Sequence, residues 1–412
     1  MVQYESFYLA NGLKVIVHED HKAPVAVVNL LYKVGARDEQ PEKTGFAHLF
    51  EHLMFGGSKN IPSYDEPLQR VGGDNNAFTS NDITNYYITL PAKNLETAFW
   101  LESDRMLGLS FDPEVLRIQR DVVIEEFKQR YLNQPYGDVW LKLRPLTYKV
   151  HPYRWPTIGK EIAHVERATL EDVKDFFYRY YIPNNATLVV AGDVTLNEVK
   201  RLSEKWFEPI PSGKKVERNL PEEPEQTAYR WEETTADVPL NGLYIAFPMP
   251  ERMHPDYHAI DLLSDVLGRG KSSQLYQSLV EESHIFNNVN AHVSGAIDKG
   301  LFVIEGLLAP GKTPELGEKA VWEFIEAFKK EALSPRETEK VKIKAESTIT
   351  FSNLELLNRA MNLAYFDMLG DVNLINTEIE AVRKVAPKDI MWQAHCILQK
   401  ERASVLRYYA KG

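Results

Sequence analysis

The pattern that most constrains this fold is an order of strands and helices that occurs twice along the 412-residue chain. In the first half, short β-rich runs such as "GLKVIVHED" and "ATLVVAGDV" alternate with amphipathic helices. After residue 240 the alternation begins again, with strands "NGLYIAFPM" and "GLFVIEGLL" and a long helix from "PELGEKAV". The repeated order predicts one α+β unit used twice in tandem.

A change of composition separates the two halves. The stretch from Pro211, "PSGKKVERNLPEEPEQTAYRWEE", is rich in proline and charge and poor in aliphatic residues, which is typical of an interdomain linker. We therefore predict an N-terminal domain at 1–212, a linker at 213–232 and a structurally similar C-terminal domain at 233–412.

Composition excludes several functional classes. The net charge of -11, without a basic cluster, disfavours a nucleic-acid partner. The single cysteine, Cys396, excludes a disulfide framework and a cysteine-rich zinc site. The N-terminus lacks the pattern of an export signal, and no run of about 18 apolar residues suggests a membrane span. These features predict a cytoplasmic protein, or a periplasmic one if a leader has been removed.

The segment "FAHLFEHLMFGG", residues 46–57, combines an apolar helical stripe with three titratable groups. The stripe follows helical spacing at Phe46, Leu49, Phe50, Leu53 and Met54. On the opposite face, His48 and His52 are four residues apart and can converge on one ion, with Glu51 close enough to reach a water on that ion. Two neutral imidazoles suit zinc, and a catalytic zinc site takes a third protein ligand.

The helix predicted at 113–132 offers a third ligand. Val115, Val122 and Val123 define its buried face on a helical wheel, and Glu126 lies in the middle of that stripe. Glu125 is rotated by about 100° to the edge of the stripe. A carboxylate on an apolar face costs several kcal/mol unless a cation or hydrogen-bond donors accompany it, and an ion held by the two histidines would remove that cost.

Simpler interpretations remain open for each feature alone. Two histidines at this spacing are common on a solvated helix face, and a buried glutamate can be a structural partner of arginine or tyrosine. A second pair, His254 and His258, has no accompanying buried carboxylate and is interpreted as a surface feature. It is the conjunction of the H-x-x-E-H string with Glu126 that favours a metal site.

These residues resemble the M16 family of inverted-motif zinc peptidases, the pitrilysin and mitochondrial-processing-peptidase type. The resemblance covers nearly the whole chain and is closest to two-domain processing-peptidase-like members. It rests on "VGARDEQPEKTGFAHLFEHLMFGGSKN", "VGGDNNAFTSNDITNYYITLP", "QRDVVIEEF", "HPYRWPTIGKEIAHV", "YYIPNNATLVVAGDV" and "LGRGKSSQLYQSLVEE". It implies two similar domains of the LuxS/MPP-like metallohydrolase fold, each an antiparallel-rich sheet packed with helices, that close around a peptide chamber.

The resemblance also implies roles for the candidate residues. His48, His52 and Glu126 would hold one Zn²⁺ ion, and Glu51 would be the general base. The family often carries a second glutamate seven residues before the ligand glutamate; here that position is Gln119, which could hydrogen-bond near the ligands but adds no charge. In the second half, the corresponding helix carries His258 and Asp261 but Leu262, so that domain is predicted to bind no metal.

The segment "NNAFTS" resembles the family's edge strand, which holds substrate by β-augmentation. Backbone pairing along Asn76, Ala77, Phe78 and Thr79 would bind an extended peptide with little regard to its sequence. An ordinary hairpin strand is the alternative.

One departure from the family predicts a partner. Active single-chain members carry an arginine and a tyrosine, seven apart, where this chain has Val280 and Asn287. The pattern resembles the metal-bearing subunit of two-subunit members, which predicts a heterodimer with a sister chain; a homodimer or another donor in this chain stays open. The resulting hypothesis is a zinc endopeptidase acting on peptides or unstructured segments. The alternatives are a non-catalytic scaffold and, less favoured, a small-molecule zinc hydrolase.

Overall fold

The computed structural model describes residues 1–411 as a mixed α and β chain with eleven strands in two sheets. The strands are β1 Glu5–Tyr8, β2 Lys14–Glu19, β3 Val25–Tyr32, β4 Asp74–Thr79, β5 Thr84–Pro91, β6 Ala186–Gly192, β7 Arg230–Ala236, β8 Gly242–Met249, β9 Phe286–Ser294, β10 Gly300–Leu308 and β11 Ser404–Ala410.

Fifteen α-helices lie in the same residues. They are α1 Phe46–Leu53, α2 Asp65–Arg70, α3 Leu95–Leu107, α4 Pro113–Phe127, α5 Val139–Thr147, α6 Ile162–Glu166, α7 Leu170–Tyr180, α8 Leu196–Trp206, α9 Tyr257–Gly268, α10 Gln274–Tyr276, α11 Pro314–Phe328, α12 Pro335–Ser352, α13 Leu356–Met368, α14 Leu374–Lys384 and α15 Pro387–Ile397. None of these helices has the length and apolarity that crossing a bilayer requires.

The two sheets share one topology. The first has the order β1-β2-β6-β3-β5-β4 and the second the order β7-β11-β8-β10-β9. Adding five to each strand number from β2 to β6 converts the first order into the second, and β1 is the one additional strand. The parallel pairs also correspond, β2 with β6 and β7 with β11, whereas the remaining pairs are antiparallel. The predicted α+β class with two similar, antiparallel-rich domains is confirmed.

The chain forms two compact units that exchange one segment each. Unit one consists of residues 1–128, 155–220 and 350–377, and unit two of 129–154, 221–349 and 378–412. Helix α13, from the second half of the chain, therefore covers the first sheet, and α5, from the first half, covers the second. The predicted division at 213–232 did not anticipate these exchanges, because periodicity identifies a helix without showing which sheet it will cover.

Helix α13 is held on the first sheet by apolar contacts and by one buried carboxylate. Ala360 and Leu363 pack against strand residues of the sheet in a common apolar cluster. Asp367, which is 8% exposed, accepts hydrogen bonds from Lys14 Nζ at 2.5 Å and from Thr187 Oγ1 at 2.7 Å. These neighbours lower the pKa of Asp367 in spite of its burial.

The predicted linker has no helix or strand before β7 begins at Arg230. The residues on either side of the boundary between units, at 220/221, are nevertheless fixed within their own units. In unit one, Arg218 Nε donates to Asp38 Oδ1 at 2.6 Å. In unit two, the Glu223 carboxylate accepts the backbone N–H groups of Val150 and His151, both at 2.9 Å.

Candidate metal centre

Helix α1 carries the candidate motif on the face opposite its buried stripe. Phe46, Leu49, Phe50 and Leu53 are buried, as their spacing predicted. The helix begins after Gly45, whose φ of 87° lies in the left-handed region. A Cβ atom at Gly45 would lie 2.6 Å from the carbonyl oxygen of Ile158, so both the backbone conformation and the available space require glycine at this position.

A buried carboxylate caps the start of α1. Glu39 accepts the backbone N–H of Gly45 at 3.0 Å and that of Ala47 at 2.9 Å, which satisfies two donors at a helix N-terminus. Burial raises the pKa of Glu39 to about 8, although these two N–H groups favour the carboxylate. Sequence reasoning missed this contact because Glu39 precedes the helix by more residues than a capping box spans.

Helix α4 supplies the third candidate ligand, with a buried face that differs from the predicted one. Its buried residues are Leu116, Val123 and Phe127, whereas Val122 is 43% exposed. The prediction that Val122 is buried was wrong, because a helical wheel cannot tell which flank of an apolar stripe faces solvent. The Glu126 side chain is 17% exposed and therefore lies at the edge of the buried stripe, not in its middle.

The structure brings the three predicted ligands together. One ligand atom from each of His48, His52 and Glu126 lies within 4.8 Å of the others. Glu126 Oε2 is 3.6 Å from His48 Nε2 and 3.4 Å from His52 Nε2. Glu125 instead points to Lys128, whose Nζ lies 2.6 Å from its carboxylate. The tertiary structure thus separates the two adjacent glutamates as the wheel argument expected.

The geometry and chemistry of this donor set fit zinc. A tetrahedral zinc ion with bonds of about 2.1 Å places its ligand atoms about 3.4 Å apart, which matches both separations from Glu126. The imidazole rings of His48 and His52 are 4.9 Å apart between centroids and inclined at 86°. Two imidazoles and one carboxylate form a three-ligand set that leaves a coordination position for water.

Glu51, the candidate general base, is linked to strand β4. Thr79 Oγ1 donates a hydrogen bond to Glu51 Oε2 at 2.6 Å. The neighbouring strand β5 reaches the preceding residue of α1, because the Tyr86 hydroxyl lies 3.5 Å from the carbonyl oxygen of Phe50. Sequence analysis predicted for Thr79 only a backbone contact with substrate. The hydrogen bond between the Thr79 side chain and Glu51 is a tertiary contact that no local sequence pattern shows.

Strand β4 contains the four predicted substrate-binding residues and lies at the edge of the first sheet. It pairs with β5 on one side, with Ala77 opposite Tyr86 and Thr79 opposite Thr84. Exposure alternates along the strand, so that Asn76 and Phe78 are exposed while Ala77 and Thr79 are half-buried. An edge strand has one row of backbone groups outside the sheet, as β-augmentation requires.

The remaining predicted positions lie as follows. Gln119 is half-buried on α4, two helical turns before Glu126. In unit two, Val280 packs against the apolar core and Asn287 is exposed on β9.

Helix α9 of unit two, which carries the residues corresponding to the metal motif, holds His258 and Asp261 half-buried next to the buried Leu262. His258 is half-buried, more enclosed than the surface interpretation implied, and burial lowers its pKa to about 4.

Comparison with known proteins identifies the family. The sequence-family model described as "Insulinase (Peptidase family M16)" matches residues 14–155, and the one described as "Peptidase M16 inactive domain" matches residues 167–344. The chain belongs to the M16 peptidase family. The first match contains all the candidate metal ligands, and the second begins before the predicted linker.

Named relatives of this M16 chain include zinc proteases. The Helicobacter pylori "Zinc protease PqqE" is 34% identical over 86% of this chain and 80% of its own length. The Bacillus subtilis "Uncharacterized zinc protease YmxG" is 27% identical over 85% of both chains. These names support zinc as the metal for which the His-His-Glu cluster is suited.

Solved structures agree in fold. A protease from Helicobacter pylori superposes with a TM-score of 0.93 at 29% identity, covering 99% of this chain and 100% of that one. A Pseudomonas fluorescens structure described as a peptidase M16 inactive domain superposes with a TM-score of 0.90 at 16% identity, over 100% of this chain and 98% of that chain. At that identity the second likeness concerns the fold alone.

Proposed function

We propose that this chain is a zinc-dependent endopeptidase that hydrolyses peptides or unstructured protein segments. The observation that carries the proposal is the spacing of 3.4 and 3.6 Å between Glu126 Oε2 and the two imidazoles, with Glu51 beside them on α1. The names of the relatives support the same activity.

His48, His52 and Glu126 would hold one zinc ion. When bound, zinc lowers the pKa of a water ligand towards about 7 and polarises a carbonyl group. Glu51, held at Oε2 by Thr79, would accept the proton of the attacking water and pass it to the departing amine nitrogen. The exposed edge of β4, along Asn76 to Thr79, would hold the substrate backbone in an extended form.

A sister M16-like subunit is part of the proposal. Val280 has no hydrogen-bond donor and packs against the core of unit two, and Asn287 is short, so neither replaces the arginine and tyrosine of active single-chain members. One relative, from Arabidopsis thaliana, is named "Probable mitochondrial-processing peptidase subunit beta", which is itself a subunit name. A non-catalytic scaffold is the competing function, and it predicts no turnover even with a partner.

Metal binding is tested with two adjacent glutamates. Glu126→Gln should weaken zinc affinity more than about 100-fold, measured by competition with a chelator. Glu125→Gln is the matched control, because this exposed side chain pairs with Lys128 and should bind one zinc per chain like the natural protein. Equal zinc affinity of the two variants would refute the assigned ligand set.

Catalysis is tested separately with Glu51→Gln. The variant should keep its zinc and lose cleavage of an unfolded reporter peptide by a factor of about 1,000 or more. The zinc-loaded chain alone should cleave this peptide slowly. Brisk turnover by the lone chain would remove the need for a partner, and cleavage that survives Glu51→Gln would contradict the peptidase mechanism.

A further inference from the structure

The side chain of Thr79 connects the edge of the first sheet to the candidate base. Thr79 is the last residue of β4 and lies on the half-buried face of that strand with Ala77. Its hydroxyl donates to Glu51 Oε2 at 2.6 Å. This distance lies in the range of an O–H group bonded to an ionised carboxylate, which is among the stronger classes of hydrogen bond in proteins.

The direction of this hydroxyl follows the backbone of β4. Threonine is branched at Cβ and therefore stiff about χ1, so a shift of the strand backbone moves Oγ1 with it. On its inner side β4 pairs with β5 from Asp74 to Thr79, but its outer side pairs with no strand among residues 1–411. A peptide that paired with this outer side would give β4 a second neighbour and restrict its motion.

Strand β5, on the inner side of β4, packs into a buried cluster. Tyr86, opposite Ala77 on β5, is fully buried, and its ring lies 4.2 Å from the guanidinium of Arg105. Arg105 is itself 1% exposed and pairs with the buried Glu102 at 2.6 Å. The inner side of β4 is therefore backed by a buried cluster, whereas its outer side is the edge of the sheet.

We propose that Thr79 is a positioning residue that couples occupancy of edge strand β4 to the orientation of the Glu51 carboxylate. The inference rests on the proposed peptidase function and adds to it a route by which a bound peptide steadies the base. An extended peptide on β4 holds the Thr79 hydroxyl, and the hydroxyl holds one carboxylate oxygen. Removing the hydroxyl leaves the peptide's backbone contacts intact and removes this contact to the base.

The coupling is measured by peptide binding to the metal-free chain, which needs no turnover. Dissociation constants for a labelled unstructured peptide are compared in four chains: the natural protein, Thr79→Val, Glu51→Gln and the double variant. Because coupling is reciprocal, Glu51→Gln should weaken binding about 3- to 10-fold when Thr79 is present and less than about twofold in the Thr79→Val background. Additive effects of the two substitutions would overturn the inference.

A neighbouring threonine provides the matched control. Thr84 lies directly opposite Thr79 on β5, but its hydroxyl donates to the carbonyl oxygen of Val34 at 3.0 Å. Combining Thr84→Val with Glu51→Gln should give additive effects. Coupling of equal size at both threonines would overturn the assignment to Thr79.

Turnover of the zinc-loaded chain, with a sister subunit where one is needed, gives a second readout. Thr79→Val should lower kcat about tenfold and raise KM by no more than the 3- to 10-fold expected from the binding coupling, and Thr79→Ser, which keeps a hydroxyl, should restore most of kcat. A natural protein that cleaves normally while the binding data are additive refutes the inference alone. If the two substitutions have non-additive effects on peptide binding but no chain cleaves the peptide, the coupling is supported and the peptidase proposal is refuted. If the natural protein binds no peptide, both proposals are refuted.

Discussion

Glu39 is a carboxylate with a folded-state pKa far from its ordinary value. It accepts N–H groups at the start of α1, where the helix dipole favours a negative charge, yet burial raises its pKa from 4.5 to about 8. Between these two pH values the folded chain keeps a proton that the unfolded chain has released. The stability due to this proton is complete below pH 4.5 and is lost as the pH rises through about 8.

We expect Glu39→Gln to flatten the dependence of stability on pH. In the natural protein the Glu39 proton makes the free energy of unfolding fall with rising pH by up to about 1.4 kcal/mol per unit between about pH 5 and 8. Urea unfolding at several pH values measures the slope. Glu42→Gln, at an exposed position three residues later, is the control and should keep the natural slope. Identical slopes for the natural protein and Glu39→Gln would contradict the assignment.

At the scale of the element, α1 depends on where it begins as much as on its apolar stripe. The stripe faces the core, so His48, Glu51 and His52 face away from it; the capping contacts at Gly45 and Ala47 fix where the first turn begins. A shift of one residue would rotate the helix by about 100° and separate the histidines from Glu126. The start of the helix therefore governs the metal cluster.

Gly45→Ala should weaken both folding and zinc binding. The substitution places a Cβ atom 2.6 Å from the Ile158 carbonyl oxygen at a φ of 87°, so the expected loss exceeds the roughly 1–2 kcal/mol of left-handed strain alone. Gly311→Ala is the control, since its φ is 78° with no atom within 4 Å, and it should show the strain without a change in zinc affinity. Unfolding free energies and chelator competition measure the two effects; equal losses for both variants would argue against the steric contact.

At the scale of the whole molecule, each sheet is covered by a helix from the opposite half of the sequence. Helix α13 covers Val27, Leu31 and Val189 of the first sheet. Without residues 350–377, this apolar face of unit one would be open to water. The two halves are thus separate in sequence pattern but mutually dependent for folding.

A fragment of residues 1–220 should therefore fail to unfold cooperatively and should bind a hydrophobic dye. Adding residues 350–377 as a peptide should restore a cooperative transition, because α13 then covers the sheet. The same peptide with Ala364→Asp is the control, since Ala364 is fully buried and a carboxylate there would oppose docking. Circular dichroism during urea unfolding measures the result, and a cooperative transition of the fragment alone would contradict the dependence on α13.

The sequence alone predicted the features that follow from the periodic spacing of apolar residues. The stripe of Phe46, Leu49 and Phe50 sets which face of α1 carries His48 and His52, because side-chain direction follows the helical repeat once the apolar face is buried. The order of strands and helices likewise predicted two similar sheets. The choice of Glu126 over Glu125 also follows from the helical repeat, although Val122 was misplaced on the wheel.

Tertiary structure alone decided contacts between segments distant in the chain. The Thr79–Glu51 hydrogen bond, the Glu39 contacts with α1 and the exchange of α5 and α13 all depend on which surfaces meet. The periodic pattern of a segment indicates which apolar face it must bury, but many other segments of the chain could cover that face equally well. Only the packed chain selects one partner, since shape and hydrogen bonding must be satisfied at every contact together.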